Sequence, residues 1–142
     1  MHAYNGCEYT LVILKDGRLV SFGQNCRGQL GHSNKSPLKP QAIRGLGRSN
    51  VFTLSCSYYH TIVACSDNGA FSFGRNDHGQ LGHGDLLDKK KPHEIKVLRG
   101  VFLVTVACGQ YHTCAGTRCD RVSSHVYLCS YYLYIGVYLR QK

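Results

Sequence analysis

A segment of twelve residues at positions 21–32 returns at positions 72–83, and this internal repeat restricts the chain to a small set of folds. Nine of the twelve residues are identical, and both copies end in Gly-Gln-Leu-Gly-His. A second motif, Cys-Ser-Tyr-Tyr-His-Thr at 56–61, recurs as Cys-Gly-Gln-Tyr-His-Thr at 108–113, with a weaker copy at 5–10. A period of about 50 residues is typical of stacked or ring-like repeat proteins, which mostly provide binding surfaces. The repeat therefore favours binding over catalysis.

Each repeat unit has the pattern of short β-strands. Residues 10–14 and 19–22 flank Asp16-Gly17, and residues 62–65 and 70–73 flank a second Asp- and Gly-containing turn, so we expect two antiparallel hairpins. The segments 51–56 and 103–108 are rich in β-branched and apolar residues and predict buried strands. Gly-Gln-Leu-Gly is interpreted as a very short strand. Four short strands per unit predict an all-β chain built of β-propeller blades.

The order of motifs resembles the repeat of the regulator of chromosome condensation family. The resemblance rests on Cys-Gly-x-x-His-Thr at 108–113, Asp16-Gly17, and the run Phe-Gly-x-Asn-x-x-Gly-Gln-Leu-Gly-His-Gly at 73–84. It implies blades of four antiparallel strands from a seven-bladed β-propeller. The units run from about 5 to 56 and from 57 to 108, with a third beginning near 108. A full ring at this period needs roughly 350 residues, so we expect an incomplete ring of about two blades plus a partial third.

The repeat does not continue beyond residue 116. We therefore divide the chain into a partial propeller at 1–116 and a tail at 117–142 that is disordered or an aberrant terminus. A fragment, a truncated splice or gene-model product, or a piece completed by a partner would each explain this. The Tyr-rich stretch 126–139 is shorter than a membrane-spanning helix. It predicts aggregation, with the alternative that the tail replaces a missing strand and caps the open flank.

The net charge of +9 has one visible focus, the triplet Lys89, Lys90 and Lys91. We place it in a loop before Pro92. It is either a solvated basic loop or a contact for phosphates or an acidic protein surface. No aromatic interleaving accompanies the triplet, so we expect no specific nucleic-acid binding.

Cysteines and histidines are numerous, but their spacing does not favour a metal centre. Cys56/His60 and Cys108/His112 recur once per unit, and this repetition favours core packing over a shared zinc ion. The glycine-rich run is not followed by a helix that could bind phosphate. We expect no cofactor, no metal and no catalytic residues. The N-terminus lacks a signal-peptide pattern, which favours reduced thiols in the cytoplasm or nucleus.

Three functions stay open at this point. We favour a protein-interaction module whose propeller-face loops dock a partner, as part of a larger regulatory or ubiquitin-ligase-type protein. The family resemblance also implies guanine-nucleotide exchange on a small GTPase such as Ran. The third hypothesis is a non-functional truncation product. Open blade edges predict self-association in addition.

Overall fold

A computed structural model describes residues 1–33, 38–46, 50–67 and 69–117, and the backbone of 125–128. These residues form antiparallel strands arranged as three sheets. The first sheet contains β1 (His2–Asn5), β2 (Tyr9–Ile13), β3 (Leu19–Gly23) and β4 (Gln41–Ala42); the second contains β5 (Val51–Cys56), β6 (His60–Cys65), β7 (Gly69–Gly74) and β8 (Lys89–Glu94); the third contains β9 (Leu103–Cys108), β10 (Thr113–Thr117) and β11 (His125–Leu128). The architecture is an open, partial ring of propeller blades, as the repeat predicted.

Both predicted hairpins are confirmed. Strand β2 pairs with β3 from Tyr9↔Gly23 to Ile13↔Leu19, and β6 pairs with β7 from His60↔Gly74 to Cys65↔Gly69. The β2–β3 turn is closed by hydrogen bonds from the Leu14 amide to the Arg18 carbonyl and from the Gly17 amide to the Leu14 carbonyl, and Gly17 takes a φ of +78° that favours glycine. The predicted strands at 51–56 and 103–108 are β5 and β9.

Two local predictions were wrong. Gly-Gln-Leu-Gly forms a turn rather than a strand in both copies, because Gly28 and Gly31 have φ values of +88° and +69°, in the left-handed region rather than the β region. The amide of Gly31 closes this turn by donating to the Gly28 carbonyl at 2.9 Å. The lysine triplet lies in β8 rather than in a loop, because Lys89 pairs with Gly74 of β7. Strand β8 is one of the two edge strands of the second sheet.

Apolar side chains from neighbouring sheets pack into two clusters. The first cluster joins the first and second sheets and contains, among others, Leu11, Leu30, Val63 and Phe73. The second joins the second and third sheets and contains, among others, Ile62, Ile95, Leu103 and Val106. Because each sheet buries its faces against the next one, stability is shared between blades rather than held within one blade.

Part of the tail takes a place in the third sheet. Strand β11 pairs antiparallel with β10, from Thr113↔Leu128 to Gly116↔His125. Strand β11 holds the same position next to β10 in the third sheet that β3 holds next to β2 in the first sheet. The sequence of β11 nevertheless does not match the repeat. Positions 118–124 and 129–142, including most of the predicted Tyr-rich stretch, lie outside the described residues. The division at residue 116 therefore stays a prediction.

Helix is nearly absent from the described part of the chain. It consists there of one 3₁₀ turn, Lys96–Leu98. None of the described segments forms a helix long and apolar enough to cross a membrane.

Candidate protein-docking surface

The polar residues of the repeat motif are used to build the scaffold. They lie in the first glycine-rich loop (residues 24–32) and the second glycine-rich loop (residues 75–83), which follow β3 and β7. Asn25 donates to the His32 carbonyl at 2.7 Å and accepts from the Leu30 amide at 3.1 Å. Asn76 makes the same kind of closure, donating to the Asp85 carbonyl and accepting from the Leu81 amide. These side chains are therefore not available for a partner.

A second repeated set of hydrogen bonds joins one blade to the next. The Tyr9 hydroxyl of β2 donates to the His60 carbonyl of β6 at 2.8 Å and lies 3.2 Å from the Thr61 hydroxyl. Thr61 in turn donates to the carbonyl of Gln29 in the first glycine-rich loop. Burial raises the pKa of Tyr9. The phenol thus works as a fixed donor in the interface between the blades.

The interface between the second and third sheets repeats this arrangement with histidine in place of tyrosine. His60 Nε2 lies 3.0 Å from the Thr113 hydroxyl, and that hydroxyl donates to the Gln80 carbonyl at 2.8 Å. Because a hydroxyl has one hydrogen, His60 must carry its proton on Nε2 and donate it to Thr113. Burial lowers the pKa of His60 to about 4, so this ring is neutral at pH 7. Position 112, the next copy, is exposed.

The repeated cysteines belong to the same structural set. Cys56 ends β5 and Cys108 ends β9, so the two Cys/His pairs lie on separate sheets, as predicted. Cys108 bonds to Ser55 of the preceding sheet through its amide and through its thiol. Burial raises the pKa of both thiols to about 12, which is the environment of an inert thiol. Among the described residues, no three His, Cys, Asp or Glu side chains are grouped to hold a metal ion.

The lysine triplet lies on β8, an edge strand of the second sheet. Lys89 is largely buried and bonds to Asp85 at 2.7 Å, while Lys90 and Lys91 are exposed. The backbone of Lys90 approaches the first glycine-rich loop so closely that a Cβ on Gly28 would lie 2.6 Å from its Cα. One lysine therefore supports the blade, and the other two remain candidates for a partner contact.

Sequence reasoning missed an ordered cluster at the turn tips, which we call the Tyr–Arg cluster (Tyr58, Tyr59, Arg75, Asp77, His78 and Tyr111). The Arg75 guanidinium carbon lies 5.9 Å from the ring centroid of Tyr59 and 5.6 Å from that of Tyr111, within cation–π range of both. The rings of His78 and Tyr111 are 4.6 Å apart. The cluster thus joins the β5–β6 turn, the second glycine-rich loop and the β9–β10 turn.

Asp77 neutralises the Arg75 guanidinium. It accepts hydrogen bonds from Arg75 Nε at 2.7 Å, forms an ion pair with Arg75 Nη2 at 2.6 Å and lies within hydrogen-bond distance of His78 Nδ1, at 2.8 Å. The hydrogen bonds from Arg75, and then the one from His78, lower the pKa of Asp77 to about 2. The carboxylate is charged at physiological pH and holds Arg75 between the two tyrosines.

The cluster is exposed as well as ordered. Tyr58 is 51% exposed and Tyr111 is 39% exposed, whereas the Arg75 side chain is 21% exposed. Tyr and Arg are the residue types that dominate the binding energy of protein interfaces. The signal that could have found them is the variation between repeats: Tyr59 and Arg75 stand where the first unit has Glu8 and Gln24.

This fold and these motif contacts define repeat blades of a β-propeller. The model of the regulator of chromosome condensation (RCC1) repeat matches residues 16–64 and 67–115, and a second model of the same repeat matches 53–80. Together the matches cover more than half of the chain. The chain belongs to the RCC1-repeat family.

Similar proteins span several biological roles. The chain is 35% identical to the RCC2 homolog of Danio rerio over 71% of its length, 32% to the ultraviolet-B receptor UVR8 of Arabidopsis thaliana over 79%, and 31% to the E3 ubiquitin-protein ligase HERC2 of Homo sapiens over 75%. It spans only 21%, 26% and 2% of those proteins, respectively.

Solved structures share the fold. Human WBSCR16 superposes with a TM-score of 0.76 at 20% identity, over 88% of this chain and 32% of that protein. Prp20p of Saccharomyces cerevisiae, described with its binding properties to Gsp1p and histones, superposes with a TM-score of 0.72 at 21% identity, over 89% of this chain and 32% of that one. At these identities the likeness shows the propeller architecture alone.

Proposed function

We propose that this chain is a protein-interaction module that docks a partner on the face carrying the Tyr–Arg cluster. The observation that carries the proposal is that some residues of each repeat build the scaffold while others lie at the turn tips, where a partner can reach them. Motif residues such as Asn76 and Thr113 are buried and hydrogen-bonded inside the scaffold, while Tyr58 and Arg75, which differ from their counterparts in the first repeat, lie at the turn tips. A surface that is rigid, exposed and rich in Tyr and Arg suits protein recognition.

The similar proteins support binding rather than catalysis as the role of these repeats. The chain matches a small part of a ubiquitin ligase and about a fifth of the RCC2 homolog, so the same kind of blade occurs in proteins of different activity. In our proposal the module belongs to a larger regulatory or ligase-type protein in the cytoplasm or nucleus. The exposed Lys90 and Lys91 provide a secondary contact for an acidic surface of the partner.

Site-specific photo-crosslinking tests the proposal without knowledge of the partner. A benzophenone amino acid replaces Tyr58 in the full chain, and a matched variant carries it at Val97, which is 41% exposed and follows β8 at the end of the blade opposite the second glycine-rich loop. We expect discrete adducts with other proteins from position 58 that are absent from position 97. Identical adducts from both positions would contradict a specific docking face.

Two other crosslinking outcomes would support the alternative functions, and a thermal melt tests the remaining hypothesis. A small GTPase in the adduct from position 58, together with faster nucleotide release from that GTPase, would establish exchange activity. Adducts of the chain with itself would establish self-association instead. A purified chain without a cooperative thermal melt would favour the hypothesis of a non-functional truncation product.

A further inference from the structure

The Arg75 side chain is positioned before any partner arrives. Its backbone amide donates to the Tyr59 carbonyl at 2.9 Å, and its guanidinium is held by Asp77 and flanked by two tyrosine rings. An arginine that is already immobile loses little conformational entropy when it forms a new hydrogen bond. The geometry therefore favours Arg75 as a recognition residue over a freely moving lysine.

The guanidinium also has donors that Asp77 does not use. Asp77 is contacted through Nε and Nη2, and a guanidinium carries five N–H groups in a planar fork. Among the residues that the structure describes, Nη1 has no acceptor, so its hydrogens remain for an acceptor outside the cluster. Carboxylates and phosphates are the acceptors that form the strongest bonds with this group.

The tyrosine rings around Arg75 determine which group of a partner can bind next to the partner's acidic side chain. Arg75 lies over one face of Tyr59 and one face of Tyr111, and Tyr111 also contacts His78. These two rings therefore offer less surface for stacking nucleic-acid bases than fully exposed rings would. Tyr58, by contrast, is half exposed, with its ring centroid 6.4 Å from that of Tyr59. It offers apolar area to a side chain adjacent to the carboxylate.

We propose that Arg75 selects an acidic side chain of the partner, with an aromatic or large aliphatic neighbour of that residue packing on Tyr58. This inference rests on the proposed function and specifies the chemistry of the segment that the docking face takes. An acidic–aromatic polypeptide segment is the occupant, because Tyr58 offers its ring to an apolar side chain, while Arg75 already lies over the rings on which nucleic-acid bases would stack.

The test is an NMR titration of the full chain with two short peptides. The first is acetyl-Gly-Glu-Phe-Glu-Gly-amide, and the second has both Glu residues replaced by Gln. We expect the Glu peptide to bind about tenfold more tightly than the Gln peptide, with shifts at the amides of Tyr58, Tyr59 and Tyr111. In Arg75→Gln the two peptides should bind equally.

Matched variants keep the result interpretable. Arg27→Gln removes an exposed arginine from the first glycine-rich loop, where it occupies the position of His78, and should keep the tenfold preference. Arg75→Lys keeps the charge without the planar fork and should retain only part of the preference. A melting temperature within a few degrees of the parent chain identifies variants that are folded.

Three results would overturn the inference: equal binding of the two peptides to the parent chain, an unchanged preference in Arg75→Gln, or tighter binding of a single-stranded oligouridylate at the same residues. None of these changes the result expected from crosslinking at position 58. A chain that forms specific adducts there but does not prefer the Glu peptide would retain the proposed function and refute the carboxylate selection.

Discussion

The two glycine-rich loops have almost the same hydrogen bonds inside and different side chains outside. In both, a serine donates to a leucine carbonyl, at 2.8 Å for Ser21 and 2.7 Å for Ser72, and a glutamine accepts an amide at 2.9 Å. The outward pair is Gln24 with Cys26 in the first loop and Arg75 with Asp77 in the second. One scaffold thus presents two different surfaces.

The difference teaches which positions of a repeat carry information about a partner. A residue buried in the loop must satisfy its own hydrogen bonds, so its identity is fixed by the fold. A residue at the turn tip faces solvent and is free to vary without loss of stability. The side chains that differ between copies are therefore the better guide to function, and those that agree are the better guide to architecture.

The largest expected effect tests the claim that the scaffold is shared. Gly23 and Gly74 have φ values of +111° and +107°, and an added Cβ would lie 2.5 Å from the Glu8 carbonyl oxygen and 2.3 Å from that of Tyr59. Gly23→Ala and Gly74→Ala should each lower the free energy of unfolding by about 3 kcal/mol or more. Chemical denaturation measures both.

The control is Gly84, which also has a positive φ but has no atom of the described residues within 4 Å of an added Cβ. Gly84→Ala should cost about 1 kcal/mol, from backbone strain alone. If only one of the two loop variants were severely destabilised, the loops would not share the same structural role.

The next effect compares buried His60 with exposed His112. The folded pKa of His60, about 4, lies below its ordinary value of 6.5, so the unfolded chain binds a proton that the folded chain does not. Stability should fall as pH decreases from 6.5 to 4, by on the order of 3 kcal/mol from this residue. Denaturation at several pH values gives the slope.

His60→Gln should flatten that slope, leaving a contribution from His83, whose pKa burial also lowers. His112→Gln should change the free energy of unfolding at pH 7 by less than about 0.5 kcal/mol, because this side chain is exposed. An unchanged slope in His60→Gln would show that the interface between the second and third sheets does not exclude the charged imidazole.

Replacing each of the two loop asparagines by alanine should lower the free energy of unfolding by a different amount. Asn76 is fully buried and bonds to the Leu81 amide and to both the carbonyl and the carboxylate of Asp85. Asn25 is half-buried and lacks the carboxylate contact within the described residues. We expect Asn76→Ala to cost about 2–3 kcal/mol and Asn25→Ala about 1 kcal/mol. Equal losses in thermal melts would contradict this assignment.

The smallest effect concerns the outward positions. Replacing Gln24 by Arg and Cys26 by Asp transfers the outward pair of the second loop onto the first. Exposed ion pairs contribute little to stability, so the free energy of unfolding should change by less than about 0.5 kcal/mol. The matched change is Arg75→Gln with Asp77→Cys, which should cost about 1 kcal/mol because the tyrosine contacts are lost as well. A large loss in the first loop would show that its outward positions are not free to vary.

The repeat made most of the architecture predictable. Both hairpins follow from Asp-Gly-containing turns between apolar runs, and the buried strands β5 and β9 follow from β-branched residues. Gly-Gln-Leu-Gly was misjudged because a glycine is compatible with a strand and with a left-handed turn, and only the closure between Gly28 and Gly31 decides between them. The lysine strand was missed because its charge suggested a loop, while its pairing partner lies 15 residues earlier at Gly74.

The sequence by itself determined the repeat, the blade architecture and the residues that build it, because those depend on local turn chemistry and on a pattern that recurs along the chain. Only the tertiary structure decided that Tyr59, Arg75 and Tyr111 meet, since they lie on three separate segments of two blades. It likewise decided that β11, which has no repeat sequence, pairs with β10 as a strand of the third sheet. Backbone pairing accepts almost any side chain, whereas a surface cluster exists only once the blades have packed.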